Sequence, residues 1–428
     1  MYKQYFKQVI GMLGENPLLS MISILGTALA IAMIMVIVIV YEVRNANYEP
    51  ETNRDRMLYL KAGVSRKATD GHNIDMLGYK VIRDALYPLN SAEAVTAVCS
   101  LSKLVSAPGR TDDFKCDVSG TDAAFWKVFG FRFVAGKPFD AADTESGLRK
   151  AVVTDDVARR LYGTSDVVGR TVLLSFVPYT VCGVVPAVSL LAEEAYASVW
   201  VPYTSIYSNQ SLLNTGGQGI NGVFRCYILA PSATDMPAIK AEVQKRAKDF
   251  NTTLTDGVTW DLVGQPDTHL EKLSRPLVNV APDVKGMLVR YSIIITIMLL
   301  VPAINLSGMT LSRMRKRMEE LAVRKAFGAT RRELIVQVLY ENMVLTLIGG
   351  TVGVAFSYLA VTVLRNWLLS TRMAGFSSGE TLLNAEMLLN PSVFVCAFFF
   401  CLALNLLSAG IPAWCVSGRN ITESLKQQ

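Results

Sequence analysis

The sequence predicts a polytopic α-helical membrane protein with four transmembrane helices and a large α+β extracytoplasmic domain between the first and second spans. Three observations carry this. Four stretches, 16–41, 291–312, 342–364 and 387–418, hold no Asp, Glu, Lys or Arg, and each is long enough for the roughly 20 residues that a helix needs to cross a hydrocarbon core. The composition is 51% hydrophobic with a mean hydropathy of +0.32, high for a soluble globular chain. Residues 42–286 instead mix short β-rich runs with amphipathic helices, the pattern of an α+β domain with its own core.

In order, residues 1–15 form a cytoplasmic amphipathic helix: Tyr2, Phe6, Val9, Ile10 and Leu13 recur at helical spacing, with Lys3, Lys7 and Gln8 on another side. That segment either lies on the inner leaflet or extends the first span. Residues 16–41 read as a retained anchor, because the apolar run exceeds a signal-peptide core and "IVIVYEVRN" offers no small-x-small cleavage site. Within 42–286, "RMLYLKAG" and "VTAVCSLSKLVSA" read as strands, with "NIDMLGYKVIRDALYPL" as a helix between them. "KAVVTDDVARRLYG", "RTVLLSFVPYTVCGVV", "ASVWVPY", "GVFRCYILA" and the helix "DMPAIKAEVQKRAKDF" complete a bilobed domain, and 267–290 return the chain as a helical stalk. The remaining segments are a span at 287–312, a loop at 313–335, a span at 336–365, a short external loop at 366–388, a span at 389–416 and a tail at 417–428.

Basic residues orient the chain. Arg313, Arg315, Lys316, Arg317, Arg324, Lys325, Arg331 and Arg332 crowd the 313–335 loop, which is therefore cytoplasmic together with both termini. Much of the net charge of +6 sits there, so nucleic acid is not needed to explain it and membrane lipid is the expected neighbour. "GTSDVVGRT" at 163–171 mimics a phosphate-binding loop but has the wrong glycine spacing and Arg170 in place of Lys; it reads as a turn feeding a strand. His72 and His269 stand far apart, and no metal or catalytic motif is visible, so neither a metal site nor catalytic residues are expected. Cys396, Cys401 and Cys415 suit packing in the last span, while Cys99, Cys116, Cys182 and Cys226 are compatible with either disulfides or buried thiols.

The cytoplasmic loop is more ordered than charge alone requires. Helix-forming residues follow Arg317, Glu320 and Arg324 form a favourable i,i+4 pair, and Val323, Ala326 and Phe327 make an apolar ridge. Gly328, Ala329 and Thr330 interrupt, and Thr330 with Glu333 forms a T-x-x-E capping box that starts a second helix. The prediction is helix, tight turn, helix, with the second helix running into the third span.

"EELAVRKAFGATRRELIVQVLYENMVLTLIGGTVGV" resembles the signature of the MacB/FtsX-like permeases of ABC transporters. There an E-I-G-x-R-K-A-x-G-A-[ST]-R string precedes a Gln, a Glu and a Gly-Gly-x-x-Gly. Glu320, Arg324, Lys325, Ala326, Gly328, Ala329, Thr330, Arg331, Gln337, Glu341, Gly349, Gly350 and Gly353 occupy those places. Ile304-Asn305 resembles an element of the family's second span, and "FWKVFGFRFVAGKPF", "AVVTDDVARRLYGTSDVVGRTV" and "VWVPY" look like the external core domain of MacB-type members. The tail "AGIPAWCVSGRNITESLK" is similar to the family's closing pattern. Glu319, Val301-Pro302 and Asn420-Ile421 depart from it, and Pro302 is placed to kink the second span.

The resemblance implies a permease subunit whose coupling helix, with Glu320, Val323, Arg324, Lys325, Phe327, Gly328, Ala329, Thr330 and Arg331, docks on a cytoplasmic ABC ATPase. The sequence shows no Walker A motif, so ATP and Mg belong to that partner and no cofactor is expected on this chain. A second permease chain, identical or paralogous, is implied, with a periplasmic adaptor and an outer-membrane protein as further candidates. Gly26-x-x-x-Ala30 and Gly349-x-x-x-Gly353, with Gly350, allow close helix approach, and Asn305 and Glu341 join this transmembrane packing group. Apart from Glu341 at the cytoplasmic edge, the third span carries no charge, and the others carry none centrally. This favours transmission of motion (mechanotransmission) over a polar solute pathway. Efflux or export, lipoprotein release, and sensing or control of cell-wall hydrolases all use this architecture, and a conventional exporter with a channel between chains stays open. A membrane-anchored hydrolase has no supporting motif.

Overall fold

The computed structural model describes residues 17–66, 72–110, 112–207, 218–316, 327, 328, 330–369 and 381–383, with six positions between 395 and 407. The 1–15 helix, the first half of the 313–335 loop, most of the last span and the 417–428 tail lie outside the described residues.

Two compact units emerge. One is Asn45–Met287 with Ser370–Leu382, and the other contains the long helices. In the first, the strand Ala94–Ser106 is the spine of a 13-stranded sheet. It pairs antiparallel with Phe114–Thr121 on one side, from Val98↔Thr121 to Val105↔Phe114, and with Phe224–Leu229 on the other. Met57–Leu60 pairs with the far edge of Phe224–Leu229, while Val199–Pro202 extends the opposite side, parallel to Phe114–Thr121. Lys150–Thr154 and Val177–Val185 follow. Alternate residues of these strands feed two apolar clusters. One surrounds Leu60, Phe224 and Ile228 under the helix Met236–Asn251, and the other surrounds Val153, Val184 and Val201 beside the helix Asp155–Tyr162. These are the two lobes that the sequence predicts, carried on one continuous sheet.

Two expectations are corrected. The segment read as one helix from 73 onward begins as the strand His72–Leu77, and helix starts only at Tyr79. Pairing with Gly63–Arg66, in the register Gly63↔Asp75 to Arg66↔His72, overrides the local helical pattern. The stalk at 267–290 is also not continuous: a short helix, His269–Ser274, ends before Pro276, and Val284–Lys316 starts after Pro282. Neither proline can donate to a helical ladder, and each disfavours helix at the residue before it. The 163–171 segment is a turn feeding a strand: Gly163 takes φ +72 at the end of the Asp155–Tyr162 helix, and Thr171–Leu174 follows. Cys99, Cys116, Cys182 and Cys226 are free thiols.

In the second unit the helices Pro17–Asn45, Val284–Lys316 and Arg331–Val363 cover the first three uncharged stretches, and Val284–Lys316 runs unbroken through Pro302. Among the described residues, two windows are long and apolar enough to cross a membrane, Ile24–Asn45 and Asn342–Val363.

Candidate functional site

The turn before Arg331–Val363 is built as its residues require. Gly328 takes φ +92, a left-handed conformation that side chains resist, although a β-carbon there would meet nothing within 4 Å. Backbone shape, not crowding, selects glycine. Thr330 then caps the helix: its hydroxyl accepts from Glu333 N at 3.3 Å, and the Glu333 carboxylate accepts from Thr330 N at 2.8 Å. Those two bonds hold the Glu333 carboxyl below its ordinary range. Arg331 is the first residue of the helix, and Phe327 stands 88% exposed at the turn. Glu320, Val323, Arg324, Lys325 and Ala329 lie outside the described residues.

The small residues of the third stretch meet the first helix. A β-carbon on Gly349 would lie 3.0 Å from Thr27 Cβ and 3.1 Å from Ile24 O; on Gly353 it would lie 2.6 Å from Ala28 O. Ile31, Ile34 and Met35 form a buried cluster with Val354 packed against it, and Ala30 and Gly350 are buried nearby in sequence. Arg44 Nη2 donates to Leu368 O at 3.2 Å. Contacts thus advance together along both chains, from 24–27 with 349 through 28–31 with 353 to 44 with 368, so the two helices run parallel. Gly26 is half-buried. Asn305 and Glu341 fall in the Val284–Lys316 and Arg331–Val363 helices, and their side chains lie outside the described residues.

Sequence reasoning missed a set of buried charges in the external unit. Arg54 Nε pairs with Glu51 Oε2 at 2.7 Å and its Nη2 donates to Tyr48 OH and to Leu191 O. The other Glu51 oxygen accepts from Glu194 N at 2.9 Å and Ala195 N at 3.3 Å. Glu194 Oε1 meets Lys61 Nζ at 2.5 Å and Lys272 Nζ at 3.1 Å, and Oε2 accepts from Tyr227 OH at 2.6 Å. Arg225 Nη1 stands 3.9 Å from Oε2. Burial alone would push the Glu194 carboxyl up, but Lys61, Lys272 and Arg225 hold it well below the usual carboxylate range. Nearby in sequence, Arg275 grips Asp267 through two bonds of 2.6 and 2.7 Å. A pair of carboxylates inside the otherwise apolar "SLLAEEAYASVWV" was the available sequence signal. Among the described residues, no group of His, Cys, Asp or Glu is placed to hold a metal ion.

An α+β domain interrupting a set of long apolar helices, with a capped turn between two of them, defines a membrane-anchored permease architecture. Residues 20–246 match the MacB-like periplasmic core domain and residues 292–421 the FtsX-like permease C-terminal domain. The first match alone covers more than half the sequence, and the chain belongs to this family of ABC transporter permeases. It is 26% identical over 246 residues to a macrolide export ATP-binding/permease protein MacB from Shewanella sp. (strain W3-18-1), covering 56% of this chain and 35% of that protein. It is 23% identical over 261 residues to the uncharacterized ABC transporter permease YknZ of Bacillus subtilis (strain 168), covering 61% of each. Neither relative is matched over two thirds of its own length. The periplasmic region of MacB from Actinobacillus actinomycetemcomitans superposes with a TM-score of 0.36 at 16% identity, covering 49% of this chain and 89% of that one.

Proposed function

We propose that this chain is the transmembrane subunit of an ABC transporter that couples ATP hydrolysis on a separate cytoplasmic ATPase to rearrangement of its external domain, for efflux or export. The observation that carries the reading is the path of the chain. It leaves the external unit at Met287, runs through a 33-residue helix, turns at 327–330, runs through a second 33-residue helix, and contributes 370–382 to the external unit again. Each helix is about 50 Å long at 1.5 Å per residue, enough to put the turn across a bilayer from the external domain. The parallel packing of the first and third helices supports the same multi-pass arrangement in the inner membrane, with four spans and both termini cytoplasmic.

In this arrangement the exposed Phe327 and the 319–331 segment form the handle on which the ATPase pulls. ATP and Mg reside on that partner, and two permease chains face each other. Replacing Glu320 with Lys, or Gly328 with a bulky residue, is expected to weaken copurification with the ATPase and to abolish ATP-dependent work. Wild-type association and wild-type ATP-dependent activity in both variants would remove the coupling role from this segment.

A further inference from the structure

The 186–198 loop belongs by sequence to the second lobe, because it joins the strands Val177–Val185 and Val199–Pro202, both of which line the cluster around Val153. Its middle is held by other parts of the domain. Glu51 and Arg54, just after the first helix, fix the backbone of Leu191, Glu194 and Ala195. Lys61 and Lys272 close on the Glu194 carboxylate, the latter from the short helix preceding Val284–Lys316. Leu382, from the stretch between the third and fourth uncharged runs, donates its N–H to Ser189 Oγ at 3.1 Å. Segments attached to every described long helix therefore converge on one short loop.

The way onward is also explicit. Trp200 Nε1 donates to Ala195 O at 3.3 Å, and Trp200 is a fully buried residue of Val199–Pro202, packed edge-on against Phe131 and Trp126. The loop has little regular structure of its own; its internal backbone bonds are the turns Ala192 N to Ser189 O, Ala195 N to Ala192 O and Tyr196 N to Ala192 O. Its position depends on the charges around it. Removing the Glu194 charge would leave the cationic groups of Lys61, Lys272 and Arg225 facing one another in a largely dry site.

We propose that the 189–195 loop is the latch through which movement of the helix-attached segments reaches the second lobe, with the Glu194 carboxylate as its closing contact. This rests on the permease reading above. Glu194 is a positioning residue here, acting through Ala195 and Trp200 on the Val199–Pro202 strand.

The test uses the full chain in lipid nanodiscs and amide hydrogen exchange read by mass spectrometry. In Glu194→Gln, peptides over 189–195 should exchange about tenfold faster, while those over 150–154 and 177–185 stay within about twofold of wild type. Unchanged exchange across 189–195 overturns the latch. Should Glu194→Gln fail to fold, Glu194→Asp keeps the charge but withdraws it from Lys61, and about a threefold acceleration confined to the loop is expected; none overturns the proposal. A second arm adds the copurifying ATPase and ATP. An ATP-dependent exchange change over 171–185 in wild type that is lost in Glu194→Gln, with ATP hydrolysis retained, supports the latch. The same change persisting in Glu194→Gln overturns it. No ATP-dependent change in wild type instead sinks the mechanotransmission reading on which it rests.

Discussion

A β-carbon on Gly353 would lie 2.6 Å from the carbonyl oxygen of Ala28 and 3.1 Å from Ile31 Cβ, so the first and third long helices meet where only hydrogen fits. Carbonyl oxygen is backbone and cannot swing aside. Gly353→Leu should therefore push the helices apart and cost about 1–3 kcal/mol, as overpacking does. Gly349→Ala should cost less, since its nearest neighbours stand at 3.0 and 3.1 Å and need give only slightly. Thermal unfolding in detergent should rank wild type above Gly349→Ala, and that above Gly353→Leu. Equal midpoints for all three would mean that this contact is not formed.

Gly328 makes the opposite case, because the space around it is open and only its φ of +92 restricts the residue. A β-branched side chain there should cost about 1–3 kcal/mol in backbone strain, whereas asparagine tolerates the left-handed region better. Copurification with the ATPase should fall in the order Gly, Asn, Val. A Val variant that binds as well as wild type would show that the partner does not read the shape of this turn.

The capping box of Thr330 and Glu333, the glycine turn and the uncharged runs were legible because each is a local signal, complete within a few residues. The packing of Gly349 and Gly353 was half legible: the spacing announced a close approach, but not that its partner is the first helix of the same chain. His72–Leu77 was not, since its strand exists through pairing with Gly63–Arg66. The Glu194 cluster was hidden for the same reason at larger scale, because Lys61, Glu194, Arg225 and Lys272 meet only through the fold. Pro276 and Pro282 marked the break before the second long helix, a punctuation that hydrophobic spacing alone passes over.

Acid should weaken the external domain through Glu242. Burial works to raise its carboxyl, but the Ser91 hydroxyl, the Asn90 and Ser91 N–H groups and Arg246 outweigh burial and bring it down to about 2 from an ordinary 4.5. A depressed folded-state value means that its stabilisation is complete above about pH 4.5 and drains away as pH falls toward 2. Glu242→Gln should be less stable than wild type at neutral pH, by on the order of 2 kcal/mol after discounting for partial exposure. The two unfolding midpoints should converge as pH falls from 4.5 to 2. A gap that stays constant across that range would rule out Glu242 as a source of acid sensitivity.

Arg275 and Asp267 are both buried and joined by two parallel bonds, and the same guanidinium also donates to Val263 O at 3.1 Å and to Val280 O at 2.5 Å. It thereby pins the non-helical break around Pro276 to the sheet, since Asp267 exchanges backbone bonds of 2.8 Å with Tyr59 in both directions. Arg275→Met should cost about 3–5 kcal/mol, because a carboxylate is left buried without its counter-charge. Arg275→Met with Asp267→Asn should recover part of this by removing the stranded charge, but not the bonds to Val263 and Val280. Urea unfolding followed by tryptophan fluorescence reads both values, and proteolysis within 276–283 should be faster in either variant. A single variant costing under about 1 kcal/mol would show that water already reaches Asp267 and that the pair is a surface contact in its energetics.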